Sequence, residues 1–304
     1  MSVIVKGGGG GKSSGLYVWK KYEFIPSYLS LIGTEDFTLK TNNTTKNWDG
    51  TLEYSTDTST WNTWDGTEIS SAGNNLYLRG TGNTKITGNS YDSRFVFTGT
   101  DSLKIDCEGN IENLLDYETV SVGSHPTMAR SCYTYMFYGC ASLMTAPTLP
   151  ATTLVDSCYL DMFYDCTSLI TPPELPATTL ASACYMYMFY GCTSLTTTPA
   201  LPATELASGC YTQMFQGCTS LTTVPELPAT ELTEHCYYQM FNNCTKIKLS
   251  TTKAGEYQTP YRIPKSGTGT IATEALTNMF RGTSGAFTGT PEINTTYYTS
   301  NTVV

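Results

Sequence analysis

The chain repeats itself, and the period decides what it can fold into. From Ser131 it reads SCYTYMFYGCASLMTAPTLPATTLVD, then SCYLDMFYDCTSLITPPELPATTLAS, ACYMYMFYGCTSLTTTPALPATELAS and GCYTQMFQGCTSLTTVPELPATELTE, before a fading copy, HCYYQMFNNCTKIKLS. Cys132, Cys158, Cys184, Cys210 and Cys236 are spaced by 26 residues. Cys140, Cys166, Cys192, Cys218 and Cys244 keep the same step, as do Met136, Met162, Met188, Met214 and Met240. After a further 13-residue offset, ATEALTNMFRGTSG reads as a sixth, degenerate copy, with Met279-Phe280 in register and Ala275 and Thr283 at the cysteine positions. A lone unit of this size cannot bury its apolar face; stacked copies bury one another's.

Each copy has a readable interior. Cys132, Tyr133, Met136, Phe137 and Cys140 fall at i, i+1, i+4, i+5 and i+8, which predicts one face of a short helix. Gly139 then turns the chain towards Leu143 and a threonine-rich extended piece, which should stop at Pro147 and Pro150 because proline cannot donate to a ladder. Thr152-Thr153 offers an N-cap for the next helix, near Leu154. The expected rung is one short parallel strand plus one short helix, wound as a right-handed coil. Roughly eight apolar side chains per rung would become interior, each worth about 1.5–3 kcal/mol when fully buried.

The pattern L-x3-C-Y-x2-M-F-x-G-C-x-S-L-x3-P-x-L-P resembles the BspA-type leucine-rich repeats, a family of bacterial cell-surface and phage-borne proteins. The resemblance covers about Met128–Leu249 well and Ile271–Gly282 weakly. It implies an α/β leucine-rich-repeat solenoid and a binding role, without implying a ligand. The unit is longer than the commoner short form, and Met-Phe stands where Ala-Phe is usual. The segment NWDGTLEYSTDTSTWNTWDG and the glycine-rich N-terminal arm also resemble segments that accompany these repeats in gut prophage and phage tail proteins.

Eleven cysteines invite a chemical reading. A bridge inside a rung fails if eight helical residues hold the two cysteines about 12 Å apart, against a Cα separation within about 7 Å. An odd count leaves at least one thiol unpaired, with bridges between rungs still conceivable. No C-x-x-C occurs, and His125 and His235 are the only histidines, so zinc is not expected. The expectation is two buried thiol ladders of small apolar fillers.

The opening, SVIVKGGGGGKSS, imitates a phosphate loop, but Lys6 stands where the first glycine is required, and a strand-like run rather than a helix follows. Residues 1–16 are therefore expected to be an attachment arm. Residues 17–106 carry strand patterns at Asp36–Lys40, Leu52–Ser55, Asn75–Arg79, Arg94–Thr98 and Leu103–Asp106, separated by turn signals, which predicts a small all-β sandwich-like domain. Trp48, Trp61 and Trp64 are expected as core or cross-strand residues of that domain. Asp106–Asp116 reads as the cap on which the first rung is laid. The repeat array is assigned to 107–250, in five units with the last incomplete, and 251–304 to the degenerate copy and a C-terminal cap.

The formal charge is −9, and no Lys or Arg occurs from Ser131 through Thr245, so nucleic acid is not an expected partner. No apolar run is long enough to span a bilayer, and no membrane insertion is expected. A signal-peptide core is missing as well, which, with the reduced thiols, favours assembly in a host cytoplasm into a virion. His235 beside Cys236 cannot form a dyad on adjacent helical positions, and His125 has no acid at telling spacing, so no catalytic residue, metal ligand or cofactor is expected.

Comparing the copies singles out the outward slots. Those after Cys-Tyr and Met-Phe carry Tyr135, Tyr138, Tyr164, Tyr187 and Tyr190 on the N-terminal rungs, an aromatic patch suited to sugars or proteins. Met144 and Ile170 open a second candidate column on the strand side. The expected function is non-enzymatic: a phage or prophage tail- or fibre-associated protein recognising a bacterial surface glycan or protein through the repeats. The arm would hold other virion proteins, and a homotrimer is the fair guess for a fibre. A bacterial surface or secreted adhesin, or a purely architectural virion decoration, are the alternatives.

Overall fold

A computed structural model describes residues 27–264 and 274–304. The attachment arm assigned to 1–16 lies outside the described residues.

The N-terminal part is a two-sheet β-structure. One sheet has the order β4-β3-β6-β1-β8-β9, with β1 Leu29–Gly33, β3 Thr51–Ser55, β4 Asn62–Thr63, β6 Asn75–Thr81, β8 Ile105–Glu108 and β9 Leu143–Thr145; the other is β5-β2-β7, with β2 Thr38–Thr41, β5 Ile69–Ser70 and β7 Phe95–Thr98. Burial alternates along β1 and β6, as a half-buried strand requires. Trp48 and Trp64 are buried and stacked, ring centroids 5.1 Å apart, and the Trp64 indole N–H donates to the Thr67 carbonyl. Trp61 is only half-buried, with the Arg79 guanidinium 4.0 Å over its ring. Leu29–Gly33 was no part of the sequence expectation, although it is a central strand paired on both sides. Its short Leu-Ser-Leu-Ile-Gly run sits next to residues that read as loop. Helix α1, Asn113–Ser121, packs so tightly on β6 that a Cβ at Gly80 would fall 1.7 Å from the Leu114 carbonyl oxygen. The helix breaks at Asp116, whose carboxylate accepts from the N–H groups of Glu118 and Thr119 and so caps the second half.

Strand β8 belongs to both parts. It pairs antiparallel with β1 and parallel with β9, the strand of the first repeat unit. Beyond it, Ile111 N–H donates to the Thr148 carbonyl and Thr148 N–H to that of Gly109. The segment from Ile105 thus lies where a preceding rung would lie, as the sequence places it.

The units stack, but not through helices. Between Ser131 and Cys140 the backbone runs as overlapping four-residue turns. The N–H groups of Thr134, Met136, Tyr138 and Cys140 donate three residues back, to Ser131, Tyr133, Tyr135 and Phe137. The alternate N–H groups leave the turn: those of Tyr133, Tyr135, Phe137 and Gly139 donate to Cys158, Leu160, Met162 and Tyr164 of the next unit, at 2.7–3.0 Å. The expected short helix is therefore replaced by a turn ribbon hydrogen-bonded sideways. The reason is the period. Spacing of i, i+4, i+8 drifts by about 40° per step on a 3.6-residue helix, whereas a ribbon of four-residue turns keeps Cys132, Met136 and Cys140 on one side. Such a ribbon needs a left-handed residue once per period, and positive φ recurs at Ser131, Tyr135 and Gly139 and at the equivalent positions of the next four units.

The inward columns are continuous. Tyr133, Tyr159, Tyr185, Tyr211 and Tyr237 stack at 5.7–5.8 Å. Phe137, Phe163, Phe189, Phe215, Phe241 and Phe280 stack at 5.5–5.7 Å. The degenerate sixth copy is a rung: Tyr237, Gln239, Phe241 and Asn243 donate to Ala275, Thr277, Met279 and Arg281. On the other side of each unit the expected strand is formed at β9, β10 (Thr223–Val224) and β11 (Lys248–Ser250). In the middle rungs it thins to single bonds, Ile170 N–H to Met144 and Thr196 N–H to Ile170, because Pro172, Pro173 and Pro199 follow at once and have no N–H to give.

Both ends are covered. At the first rung, Ile86 N–H donates to the Cys132 carbonyl and Phe95 N–H to that of Met136. At the far end, β12 (Thr259–Arg262), β14 (Thr296–Thr299), β11 and β13 (Ser284–Gly285) form one sheet, and β15 (Thr302–Val303) runs parallel to β10. The C-terminal strands thus pair with the strand side of the fourth and fifth units rather than lying over the last rung alone.

Candidate functional site

The outward slots of the turn ribbon form columns, because each unit places the same slot directly over the last. Tyr138, Tyr164 and Tyr190 stack face to face at 4.6 and 4.4 Å, with interplanar angles of 8° and 4°. All are half-buried. The column continues as Gln216, whose amide donates to the Tyr190 hydroxyl at 3.4 Å and accepts from the Gln213 amide. At its N-terminal end Tyr91, with the Arg94 guanidinium 3.8 Å over its ring, meets Tyr138 edge-on at 5.1 Å.

The neighbouring column reads Tyr135, Asp161, Tyr187, Gln213, Gln239, every member with positive φ between 51° and 63°. Tyr135 sits edge-on to Tyr138 at 5.8 Å and Tyr187 to Tyr190 at 6.2 Å, both at 68°. In the rung between, Tyr164 has Asp161 where its edge-on partner would be. The third column reads Gly139, Asp165, Gly191, Gly217, Asn243. So all five expected tyrosines come together, and the rung at their centre adds two carboxylates to them.

Asp161 was not singled out from the sequence. It is 7 % exposed, and its carboxylate accepts no hydrogen bond from the described residues. Burial alone pushes its pKa up to about 7. Burial also raises Asp165, which is more open. Tyr164 is held above the usual phenol range, first by burial and then by the phenols of Tyr190 and Tyr138. The signal was in the sequence: Asp161 is the one acid in a slot that otherwise holds tyrosine or glutamine.

Met144 and Ile170 belong to a different segment of each unit, the strand after the turn ribbon. Ile170 is 44 % exposed and Met144 half-buried. They form a column through Ile170 N–H and the Met144 carbonyl, separate from the tyrosine cluster. Cavities of about 370 and 320 Å³ lie further along this side, walled by Pro147, Pro150, Pro173, Pro176 and Pro199. A cavity of about 400 Å³ is lined jointly by β7 and the first rung, with Arg94, Lys104 and Tyr138 in its wall.

The histidines and thiols are placed as follows. His125 Nδ1 lies 2.8 Å from the Glu112 carboxylate, an acid thirteen residues away that is buried and raised in pKa chiefly by that burial. His235 lies 3.7 Å from Glu234 and 3.8 Å from Glu274, each ring nitrogen facing one carboxylate on an exposed surface. Glu274 comes from the sixth copy, so no local spacing announces that cluster. All eleven cysteines are free and buried, and burial drives the thiols of both ladders above their ordinary range, Cys236 the least, to about 11. Such thiols are not nucleophiles at neutral pH. Among the described residues no helix is long and apolar enough to cross a membrane.

Compared with known proteins, the chain matches no family model, no curated protein and no solved structure.

Proposed function

We propose that this chain is a non-enzymatic recognition protein: a BspA-type leucine-rich-repeat solenoid that presents the tyrosine-bearing face of its turn ribbon to a bacterial surface ligand. In this reading it is carried on a phage or prophage tail, and the N-terminal arm joins it to other virion proteins. The observation that carries the proposal is the division of labour within each rung. Inward positions repeat without change through the Tyr133 and Phe137 columns, whereas the outward slots of Tyr135 and Tyr138 change, holding tyrosines and Asp161 on the first three rungs and amides on the next two. Stacking alone does not call for that asymmetry, since Gln213, Gln216, Gln239 and Asn242 fill the same slots in rungs that stack equally well. The buried thiols support a binding rather than a catalytic role.

The test is binding of the purified chain to whole cells of candidate gut bacteria. Beside it goes a variant with Tyr135, Tyr138, Tyr164, Tyr187 and Tyr190 changed to Gln, the residue that later rungs carry in those slots. Saturable binding to some strains that the folded variant loses supports recognition through this face. Binding that survives moves the site to the Met144–Ile170 side or to the β-domain, and no binding to any strain favours an architectural role.

A further inference from the structure

Resting on that reading, we propose that the notch at Asp161 is the ligand's anchoring point and that it takes an ammonium group carried on a sugar, an amino sugar of a surface glycan with its amine free.

The notch is defined by what is missing from a regular pattern. Tyr138 and Tyr190 each have an edge-on tyrosine beside them, Tyr135 and Tyr187, while Tyr164, stacked between them, has none. Tyr135, Asp161 and Tyr187 lie on successive rungs, tied by the bonds from Tyr135 N–H to Leu160 and from Asp161 N–H to Met186. Hydrogen-bonded strands lie about 4.8 Å apart, so the two tyrosines bracket a gap about one side chain thick. Asp161 stands there in place of a phenol, a shorter side chain between the two tyrosines.

That carboxylate does nothing for the fold. A buried charge is normally paired or hydrogen-bonded, and among the described residues this one is neither. The slot needs no acid, since Gln213 and Gln239 occupy it two and three rungs on with the same positive φ. The rungs around it supply no cation, because no Lys or Arg lies between Ser131 and Thr245. A carboxylate left uncompensated by the described residues is a place for a positive group.

The surroundings favour a sugar as the bearer of that group. The ladder tyrosines turn their faces on one another, so they offer no stacking platform and no apolar pocket of the kind that anchors a protein partner. What they present outward is a row of phenol hydroxyls at rung spacing, continued by the Gln216 and Gln213 amides. A polymer of hydroxyl-bearing rings can donate to and accept from such a row while one ring, with its ammonium on Asp161, fills the notch.

The probes are glucosamine trimer and its N-acetylated counterpart, titrated by NMR or calorimetry at physiological salt. The free-amine trimer should bind at least tenfold more tightly than the acetylated one, and Asp161→Asn should abolish the preference. Glu205→Gln, which removes one exposed negative charge from the same array, should leave it intact. Equal affinity for the two trimers, loss of the preference in Glu205→Gln as well, or a stronger response to a trilysine peptide than to the amine trimer would each overturn the proposal. Whole-cell binding of Asp161→Asn separates the two readings: cell binding retained with no trimer preference in the parent sinks the notch and leaves recognition standing, whereas cell binding lost along with the preference supports both.

Discussion

The thiol of Cys166 donates to the backbone carbonyl of Phe137, 29 residues earlier and one rung back, at 3.1 Å. Cys192, Cys218 and Cys244 do the same to Phe163, Phe189 and Phe215 at 2.9–3.1 Å. In the first rung Cys140 donates to Phe95 of the β-domain at 3.5 Å, so the domain stands in for the rung that is not there. The cysteines of this column are cross-rung hydrogen-bond donors as well as fillers of small volume.

The accessibility of these thiols is the first expected outcome. Buried, protonated thiols react only when the chain opens. Native protein treated with iodoacetamide at pH 8 should show no labelling on the timescale in which denatured protein takes up eleven equivalents, read by intact mass. Cys192→Ala should lower stability by about 1 kcal/mol, the loss of a weak hydrogen bond and a small volume, measured by chemical denaturation. Rapid labelling of the native chain would place these side chains outside the core.

The two aromatic columns should respond in opposite ways to truncation. Phe189 is fully buried between Phe163 and Phe215, and Phe189→Ala should cost about 3–5 kcal/mol. Tyr164→Gln, in a half-buried outward slot that Gln216 fills elsewhere, should stay within about 1 kcal/mol of the parent. Thermal melts of the two variants compare them directly. Similar losses would mean that the tyrosine ladder is structural.

Those columns were legible because burial obeys the repeat. Cys132, Tyr133, Met136, Phe137 and Cys140 were expected on one face, and all are buried. The backbone that puts them there was not legible, because i, i+4, i+8 was read as a helix, although Gly139, Gly191, Gly217 and Asn243 at one slot already mark a recurrent left-handed residue. Strand β1 was missed for want of length, and Glu274 could join His235 only through the sixth rung. The five tyrosines were found by comparing copies. Asp161 was passed over because a single acid among them reads as solvated surface until its burial is known.

The left-handed slots give a third expectation. Gly191 has φ +70°, and a Cβ there would come 1.9 Å from Asp165 Oδ1; Gly217, with φ +77°, would meet nothing nearer than Gly191 at 3.7 Å. Both Gly→Ala changes carry the left-handed penalty of roughly 1–2 kcal/mol. Gly191→Ala should be the worse of the two by about a further 1 kcal/mol of displaced side chain, and Asp165→Gly should remove that excess in the double variant. Equal losses for the two alanines would show that Asp165 swings aside freely.

Asp161 sets the last expectation, a pH dependence with a definite sign. Its pKa in the folded chain is about 7, raised by burial above its value of 3.8 in the open chain. Between those values the folded chain holds a proton that the unfolded chain has released. Folding is therefore favoured as pH falls through that window, and the advantage is gone above pH 7. Asp161→Asn abolishes the desolvation cost and accepts the left-handed backbone well. At pH 8 the variant should be more stable than the parent by about 2 kcal/mol, an order-of-magnitude figure for a shift of this size. The difference should shrink steadily from pH 7 and vanish near pH 4, where the parent carboxyl is neutral in both states. Asp49, Asp57 and Asp65, whose hydrogen bonds lower their pKa values, push stability the other way at low pH, but equally in both proteins. The difference between variant and parent, followed by denaturant titration at each pH, thus isolates Asp161. A difference that stays constant from pH 8 to pH 4 would mean that the carboxylate is solvated and the notch is open to water throughout.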